Sequence, residues 1–417
     1  MINIEESSHT KWPLKWAAPA PPAVLGRSHR RRDNRRMDID SATPLLGGLS
    51  PSAFMRRHWQ KKPLLVRQAW PAIQPPIGRA ALFELAAQAD VESRLLTRFD
   101  GHWRLRHGPL PRRALPALQK PNWTLLVQGL DLHWPAARAL LDQFRFVPEA
   151  RLDDVMLSYA SDGGGVGPHL DSYDVFLLQV HGRRRWRIGP VPDCSLVDGL
   201  PIKVLRHFEA TQEWLLETGD MLYLPPNWGH DGVAVGECMT CSIGFRAPAA
   251  AALAGELLAR LADDLDLDSA DQHRRYRDPH QSATTEPGRV PAALREFALS
   301  ALQRAVGDAD ALARAVGCAL TEPKAQVWFE ATRATKSIAA APIALDRRTR
   351  MQYDERHVFI NGEAFRAAGR DARMLARLAD ARQLSAADGA KFSRDAAALV
   401  EEWRLAGWLH AVPAGQE

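Results

Sequence analysis

Between residues 150 and 248 the chain is a succession of short apolar or alternating runs cut by Gly, Pro and Asp. Residues 155–159, 175–180, 185–188 and 221–224 are examples. Each is four to six residues long, the length of a strand rather than a helix. A long series of such runs, each closed by turn formers, buries its apolar faces as a sandwich or barrel of short strands.

The texture changes on either side of this region. Ser50, then Pro51 and an amphipathic stretch, reads as a capped helix, and residues 63–67 read as a short strand. After Pro248, residues 249–268 and 291–316 are Ala/Leu-rich with helical spacing. From about Ile338 a third texture begins, with a hairpin signal at Asn361-Gly362 and helical patterns that end at residues 403–409. The 417 residues therefore read as an α+β chain: a β-rich domain over 37–248, a helical region over 249–337 and a winged-helix-like module over 338–417. No Gly- or Pro-rich linker follows Pro248, so the helices are expected to pack on the β domain or on a second subunit.

The basic net charge of +5 is no argument for a nucleic-acid binder. Residues 1–36 alone carry +5, and the remainder sums to zero. That Pro/Ala/Arg-rich stretch reads as a disordered tail, or as an extension ahead of a true start at Met37. Residues 390–405, the place for a recognition helix, hold three basic and three acidic residues, so no sequence-specific nucleic-acid binding is expected. No apolar run has the length of a membrane span and no secretory leader pattern opens the chain, which points to the cytoplasm. The four cysteines do not form a disulfide framework. Cys238 and Cys241 fall three apart in a stretch expected to be a strand, so they should face opposite sides.

The chemistry is concentrated in Gly163-Gly-Gly-Val-Gly-Pro-His-Leu-Asp171. Two residues apart on a strand, His169 and Asp171 share one face and can bind one metal ion. A later segment, Gly219-Asp-Met-Leu-Tyr-Leu-Pro-Pro-Asn-Trp-Gly-His230, supplies a third ligand in His230. Two His and one carboxylate make the facial triad of non-haem Fe(II) oxygenases, which leaves room for a 2-oxo acid and O2. In the run 183–188, following a turn at His181-Gly182, alternation puts Arg184 on the same face as Trp186 and Ile188. Arg183, Arg185 and Arg187 take the other face. A guanidinium turned into the barrel needs an anion, and a dicarboxylate such as 2-oxoglutarate offers one. Ser158 and Ser242, both on expected strands of the barrel, are candidates to hydrogen-bond the same co-substrate.

These features resemble a known family. His58-Trp-Gln-Lys-Lys-Pro63, Ser93-Arg94, Asn122-Trp123, Leu125-Leu-Val-Gln128, the glycine-rich run to Asp171, Tyr173-Asp-Val-Phe176, Gly182-Arg-Arg-Arg-Trp-Arg187, Gly219-Asp220, Tyr223, Pro225-Pro226, His230 and Gly244-Phe-Arg-Ala-Pro248 together resemble the JmjC-type ribosomal oxygenases, in particular the bacterial ribosomal protein arginine hydroxylases. The resemblance covers residues 50–248 and extends to the rest by domain order only. It implies a double-stranded β-helix of the cupin type, a helical dimerisation domain and a C-terminal winged helix. It also implies iron ligands at His169, Asp171 and His230, 2-oxoglutarate at Arg184, and 3-hydroxylation of an arginyl residue in large-subunit ribosomal protein sixteen. A cationic substrate needs a carboxylate near the metal; Asp162, shortly before the first ligand, and Asp231, directly after the last, are the candidates. A lysine demethylase of the same fold, and a metal-bound cupin that binds without oxygenase activity, are the competing readings.

Overall fold

The computed structural model describes residues 38–263, 275–331 and 341–412. The basic tail, residues 264–268 of the first helical run and the boundary at Ile338 lie outside these.

Ten strands form the main sheet system. They are β1 (Leu64–Val66), β2 (Ser93–Phe99), β3 (His102–His107), β4 (Trp123–Val127), β5 (Leu152–Ala160), β6 (His169–Leu170), β7 (Val175–Pro190), β8 (Gln212–Leu216), β9 (Met221–Leu224) and β10 (Trp228–Phe245). The longest are β7 and β10, with 16 and 18 residues, and they pair antiparallel with each other along their lengths. The first part of β7 also pairs with β9, and its second part with β8. Likewise β10 begins beside β6 and ends beside β5. Two long strands shared by two sheets in this way make a double-stranded β-helix.

The turn expected at His181-Gly182 is not there; β7 runs through it. The reason lies in its partner. Between the pairs Val235–Arg183 and Met239–His181, three residues of β10 face Gly182 alone, and past Met239 the extra residue is Val180 of β7, so the two strands bend together. Gly182 has φ +64°, and a Cβ there would overlap the Glu237 carbonyl oxygen. Glycine therefore bends the strand instead of ending it.

The expected cap at Ser50 forms: its Oγ accepts from Ala53 N at 3.2 Å and starts the helix Pro51–Arg57. That helix drives Phe54 into an aromatic cluster with Phe176 and Tyr223. Two acidic residues of the sequence motifs serve the fold. Asp174, fully buried, accepts from Tyr223 Oη at 2.6 Å and Gln60 Nε2 at 3.0 Å. Asp220 closes a turn by accepting from Glu217 N, and ties it to the end of β1 by accepting from Gln68 N and pairing with Arg67.

Beyond β10 come helices Ala250–Asp263, Ala292–Gly307 and Ala309–Thr321. The run 291–316 is two helices because Asp308 caps the second, accepting from Asp310 N and Ala311 N at 2.9 and 3.0 Å. Six short strands follow: β11 (Ile343–Leu345), β12 (Met351–Tyr353), β13 (His357–Ile360), β14 (Glu363–Arg366), β15 (Gln383–Leu384) and β16 (Leu409–Ala411). Asn361-Gly362 is the hairpin turn between β13 and β14, with positive φ at both residues as a type I′ turn requires. Helix Ala309–Thr321 packs against β13, with Gly317 letting Phe359 approach. The sequence assigns this helix to the preceding region; it packs both on helix Ala250–Asp263, through Leu261, Ala311 and Ala315, and on the sheet β12–β14. No helix among the described residues is long and apolar enough to cross a membrane.

The C-terminal module is joined to the β-helix by buried charge. Glu149 accepts from Arg145 Nε at 2.6 Å and Arg138 Nη2 at 3.3 Å, and Arg382 Nη1 lies 3.6 Å away. Arg145 also donates to the carbonyls of Ala379 and Asp380. Burial alone would raise the Glu149 carboxyl, but the three guanidiniums outweigh it and bring it down to about 2. A depressed carboxyl stabilises the fold above its unfolded value of 4.5, and that stabilisation is lost as pH falls from there towards 2. We therefore expect Glu149→Gln to cost roughly 3 kcal/mol at neutral pH, since it leaves Arg382 buried without its anion. Urea unfolding of the variant should depend less steeply on pH between 4.5 and 2 than the wild type.

Candidate metal centre and its cavity

The glycine-rich run does its work by close approach. A Cβ on Gly164 would collide with the Trp123 carbonyl oxygen, and one on Gly165 with that of Gly232. Without side chains, the loop lies against β10, where Gly163 N donates to Ala234 O and Ala234 N to Gly164 O. This delivers His169 to β6, directly opposite His230 on β10. Asp171 follows just beyond the strand, held by Asn227 N donating to its carbonyl at 2.8 Å.

His169, Asp171 and His230 thus converge, with one potential ligand atom from each within 4.8 Å of the others. His230 Nε2 lies 3.6 Å from Asp171 Oδ2, and the two imidazole centroids are 4.2 Å apart. Nδ1 of His169 is 2.9 Å from the Gly167 carbonyl, and Nδ1 of His230 is 3.0 Å from that of Trp228. A carbonyl only accepts, so each Nδ1 carries the proton and each Nε2 keeps its lone pair for a metal. Burial, then the neighbouring His169, push the His230 imidazole down to about 3. Burial raises the Asp171 carboxyl. Two imidazoles that present Nε2 beside a carboxylate short of solvation suit a divalent cation, and two nitrogens with one oxygen suit iron(II).

These residues line a cavity of about 810 Å³. Arg184 lies in its wall, 5% exposed. Its Nη1 donates to Ser158 Oγ at 3.0 Å, but Nε and Nη2 are buried with no partner among the described residues. Trp186 lies beneath the guanidinium, its ring centroid 5.7 Å from Cζ. Arg183, Arg185 and Arg187 are exposed on the opposite face. Ser158 is buried and Ser242 half-buried, both on the cavity wall. Cys238 and Cys241 are buried in separate apolar clusters, as the alternation requires.

The structure places the two expected substrate carboxylates elsewhere. Asp162 is exposed and outside the cavity lining; it accepts from Gly236 N at 2.7 Å and ties the glycine-rich loop to the bulged part of β10. Asp231 faces away from His230, because neighbours on a strand point to opposite sides, and pairs with Arg187 at 2.5 Å. Besides the ligand Asp171, the carboxylates that line the cavity are Asp153 and Asp154 on β5 and the exposed Asp198. The signal was strand parity: Asp154 and Ser158, four apart on one strand, share a face.

A JmjC-domain model matches residues 139–253, the stretch that holds the three converging ligands and Arg184. A ROXA-like winged-helix model matches residues 302–410. By that first match the stretch 139–253 is JmjC-like. The chain is also 44% identical, over 206 residues, to the ribosomal protein uL16 3-hydroxylase of Escherichia coli strain K12. That match covers 47% of this chain and 52% of the relative, so the chain spans about half the length of the curated relative it matches. Solved structures extend the likeness. YcfD, a ribosomal oxygenase from Escherichia coli, superposes with a TM-score of 0.76 at 27% identity, over 89% of this chain and all of that one. A structure of YcfD with cobalt and 2-oxoglutarate gives a TM-score of 0.73 at 28% identity, over 87% of this chain and 98% of that one. The winged-helix match starts at 302, before helix Ala309–Thr321, in keeping with the packing of that helix on β13.

If the JmjC domain holds a metal through its three converging residues, His169→Ala and His230→Ala should each lower its affinity for iron(II) or cobalt(II) by at least about 10-fold. Asp231→Asn, which changes the other face of β10, should bind as the wild type does. Calorimetric titration of the metal-free proteins measures all three.

Proposed function

We propose that this protein is an iron(II)- and 2-oxoglutarate-dependent hydroxylase that adds a 3-hydroxyl group to an arginyl residue of the large-subunit ribosomal protein uL16. One observation carries the reading: a buried guanidinium with two unpartnered donor atoms shares a cavity with two His and one carboxylate. A guanidinium in that position requires an anion, and the anion must lie within reach of the metal. That is the arrangement a 2-oxo dicarboxylate demands, and a plain metal-binding cupin has no need of it. The likeness to the uL16 3-hydroxylase and to YcfD supports both the reaction class and the substrate.

His169, Asp171 and His230 would hold iron(II), which supplies the activation of O2 coupled to oxidation of the 2-oxo acid. Arg184 would take the far carboxylate through Nε and Nη2, with the Ser158 hydroxyl alongside and Ser242 a second hydroxyl on the wall. Trp186 packs against Arg184 and keeps water from that ion pair. Asp153 and Asp154 would receive the substrate guanidinium, replacing the roles expected of Asp162 and Asp231. Leu294, Leu299, Leu302 and Val306 expose apolar surface on helix Ala292–Gly307, which supports a homodimer built through the helical region. A uL16 substrate would call for a cytoplasmic protein.

Incubation with iron(II), 2-oxoglutarate and recombinant uL16, followed by mass spectrometry, should give a shift of about +16 Da on an arginine-containing peptide, abolished in His169→Ala. Removal of a charge-assisted pair should raise the KM for 2-oxoglutarate about 10- to 100-fold in Arg184→Gln. Succinate formation without modified uL16 would keep the oxygenase and move the substrate elsewhere. Absence of both in the iron-loaded protein would refute the proposal.

A further inference from the structure

Lys324 reaches the cavity wall from outside the JmjC domain. It lies three residues past helix Ala309–Thr321, within the winged-helix match. Thr321 ties the end of that helix to the β13–β14 hairpin, its Oγ accepting from Gly362 N at 3.2 Å. Lys324 Nζ lies 2.9 Å from Asp154 Oδ2 and 3.1 Å from Asp153 Oδ1.

The two oxygens of Asp154 differ in their surroundings. Oδ2 receives Lys324 and also Gln128 Nε2, the latter at 2.7 Å. Oδ1 has no donor among the described residues and lies over Gly244, where a Cβ would stand 3.6 Å from it. Asp154 and Gly244 both line the cavity. The carboxylate is therefore clamped by one oxygen and offers the other to the cavity. Its clamp has a second task. Asp131 is buried behind it, and burial together with the charge of Asp154 raises the Asp131 carboxyl to about 6. An ammonium among these acids offsets their mutual repulsion. Asp153 is satisfied differently, with Arg246 at 3.6 Å and Arg350 at 3.9 Å besides Lys324, so Asp154 is the carboxylate left with capacity for a ligand.

We propose that Lys324 is a positioning residue for substrate: the winged-helix module lends it to the JmjC domain to orient Asp154, whose free oxygen then receives the substrate cation. Affinity for a cationic side chain thereby depends on the winged helix being docked. The inference rests on reading the cavity as that of an arginyl hydroxylase. It also makes the module part of the substrate site.

The test is steady-state hydroxylation of recombinant uL16 by the full chain, comparing wild type, Lys324→Met, Lys324→Arg and the Asp154→Asn background. Loss of the clamp should raise KM for uL16 about 10-fold in Lys324→Met with little change in kcat. Lys324→Arg, which keeps the charge and a donor, should recover most of it. Lys324→Met should add nothing in the Asp154→Asn background, because the two act as one unit. An unchanged KM, a lowered KM (Lys324 blocking rather than positioning), or an undiminished effect without Asp154 would overturn the inference. Thermal melting checks each variant for folding, with Lys324→Arg as the version that keeps the structural pairing. If wild type leaves uL16 unmodified, the functional reading fails by itself. Calorimetric binding of N-acetylarginine methylamide then decides about Lys324: about 10-fold weaker binding in Lys324→Met supports the role, and equal binding rejects it.

Discussion

The antiparallel pairing of β7 with β10 is the constraint on which the rest of the molecule depends. Each strand is long enough to belong to two sheets, and each bends where Gly182 meets the bulge around Met239. That shared bend turns what would be a flat sheet into a β-helix with an interior. It also fixes the chemistry, since β10 carries His230 and Ser242 while β7 carries Arg184 and Trp186. A slip of one residue between the strands would turn His230 outward and Asp231 inward. Register and site are one property of the same ladder.

The buried charges fall into two groups with different meanings. Asp174, Asp220, Glu149 and Asp231 are matched by hydroxyls, amides or guanidiniums, and they hold the fold or the junction between modules. Arg184 is not matched in this way, since two of its donors are unpartnered, and the Asp171 carboxyl, although it accepts from the Tyr173 hydroxyl, is raised by burial. Both lie on one cavity. Burying polar groups without partners is costly unless a ligand completes them, so their coincidence in one place marks a binding site and not a defect of packing.

The modules are joined by the same kind of interaction. Arg145 and Arg382 bridge the β-helix to the C-terminal module around Glu149, and Lys324 reaches back to Asp153 and Asp154. Ion pairs across an interface give orientation where apolar contact gives only adhesion. A winged helix docked in this way is placed to influence the cavity without touching the metal ligands.

Local pattern was enough for much of this. Alternation along residues 183–188 put Arg184 inward, the spacing of His169 and Asp171 put them together, and Ser50 and Asn361-Gly362 announced a cap and a hairpin, because each depends on a few neighbouring residues. What tertiary structure alone decided was everything set by a partner strand or a distant module. His181-Gly182 looks like a turn until the bulge in β10 makes it a bend. Asp162 and Asp231 look suitable because they are near the ligands in the chain, yet one faces solvent and the other the far side of its strand. Lys324, 170 residues from Asp154, has no local signal at all. Sequence distance measures neither which face a side chain takes after a bulge nor which modules meet, since both are settled by packing between elements that only the folded chain brings together.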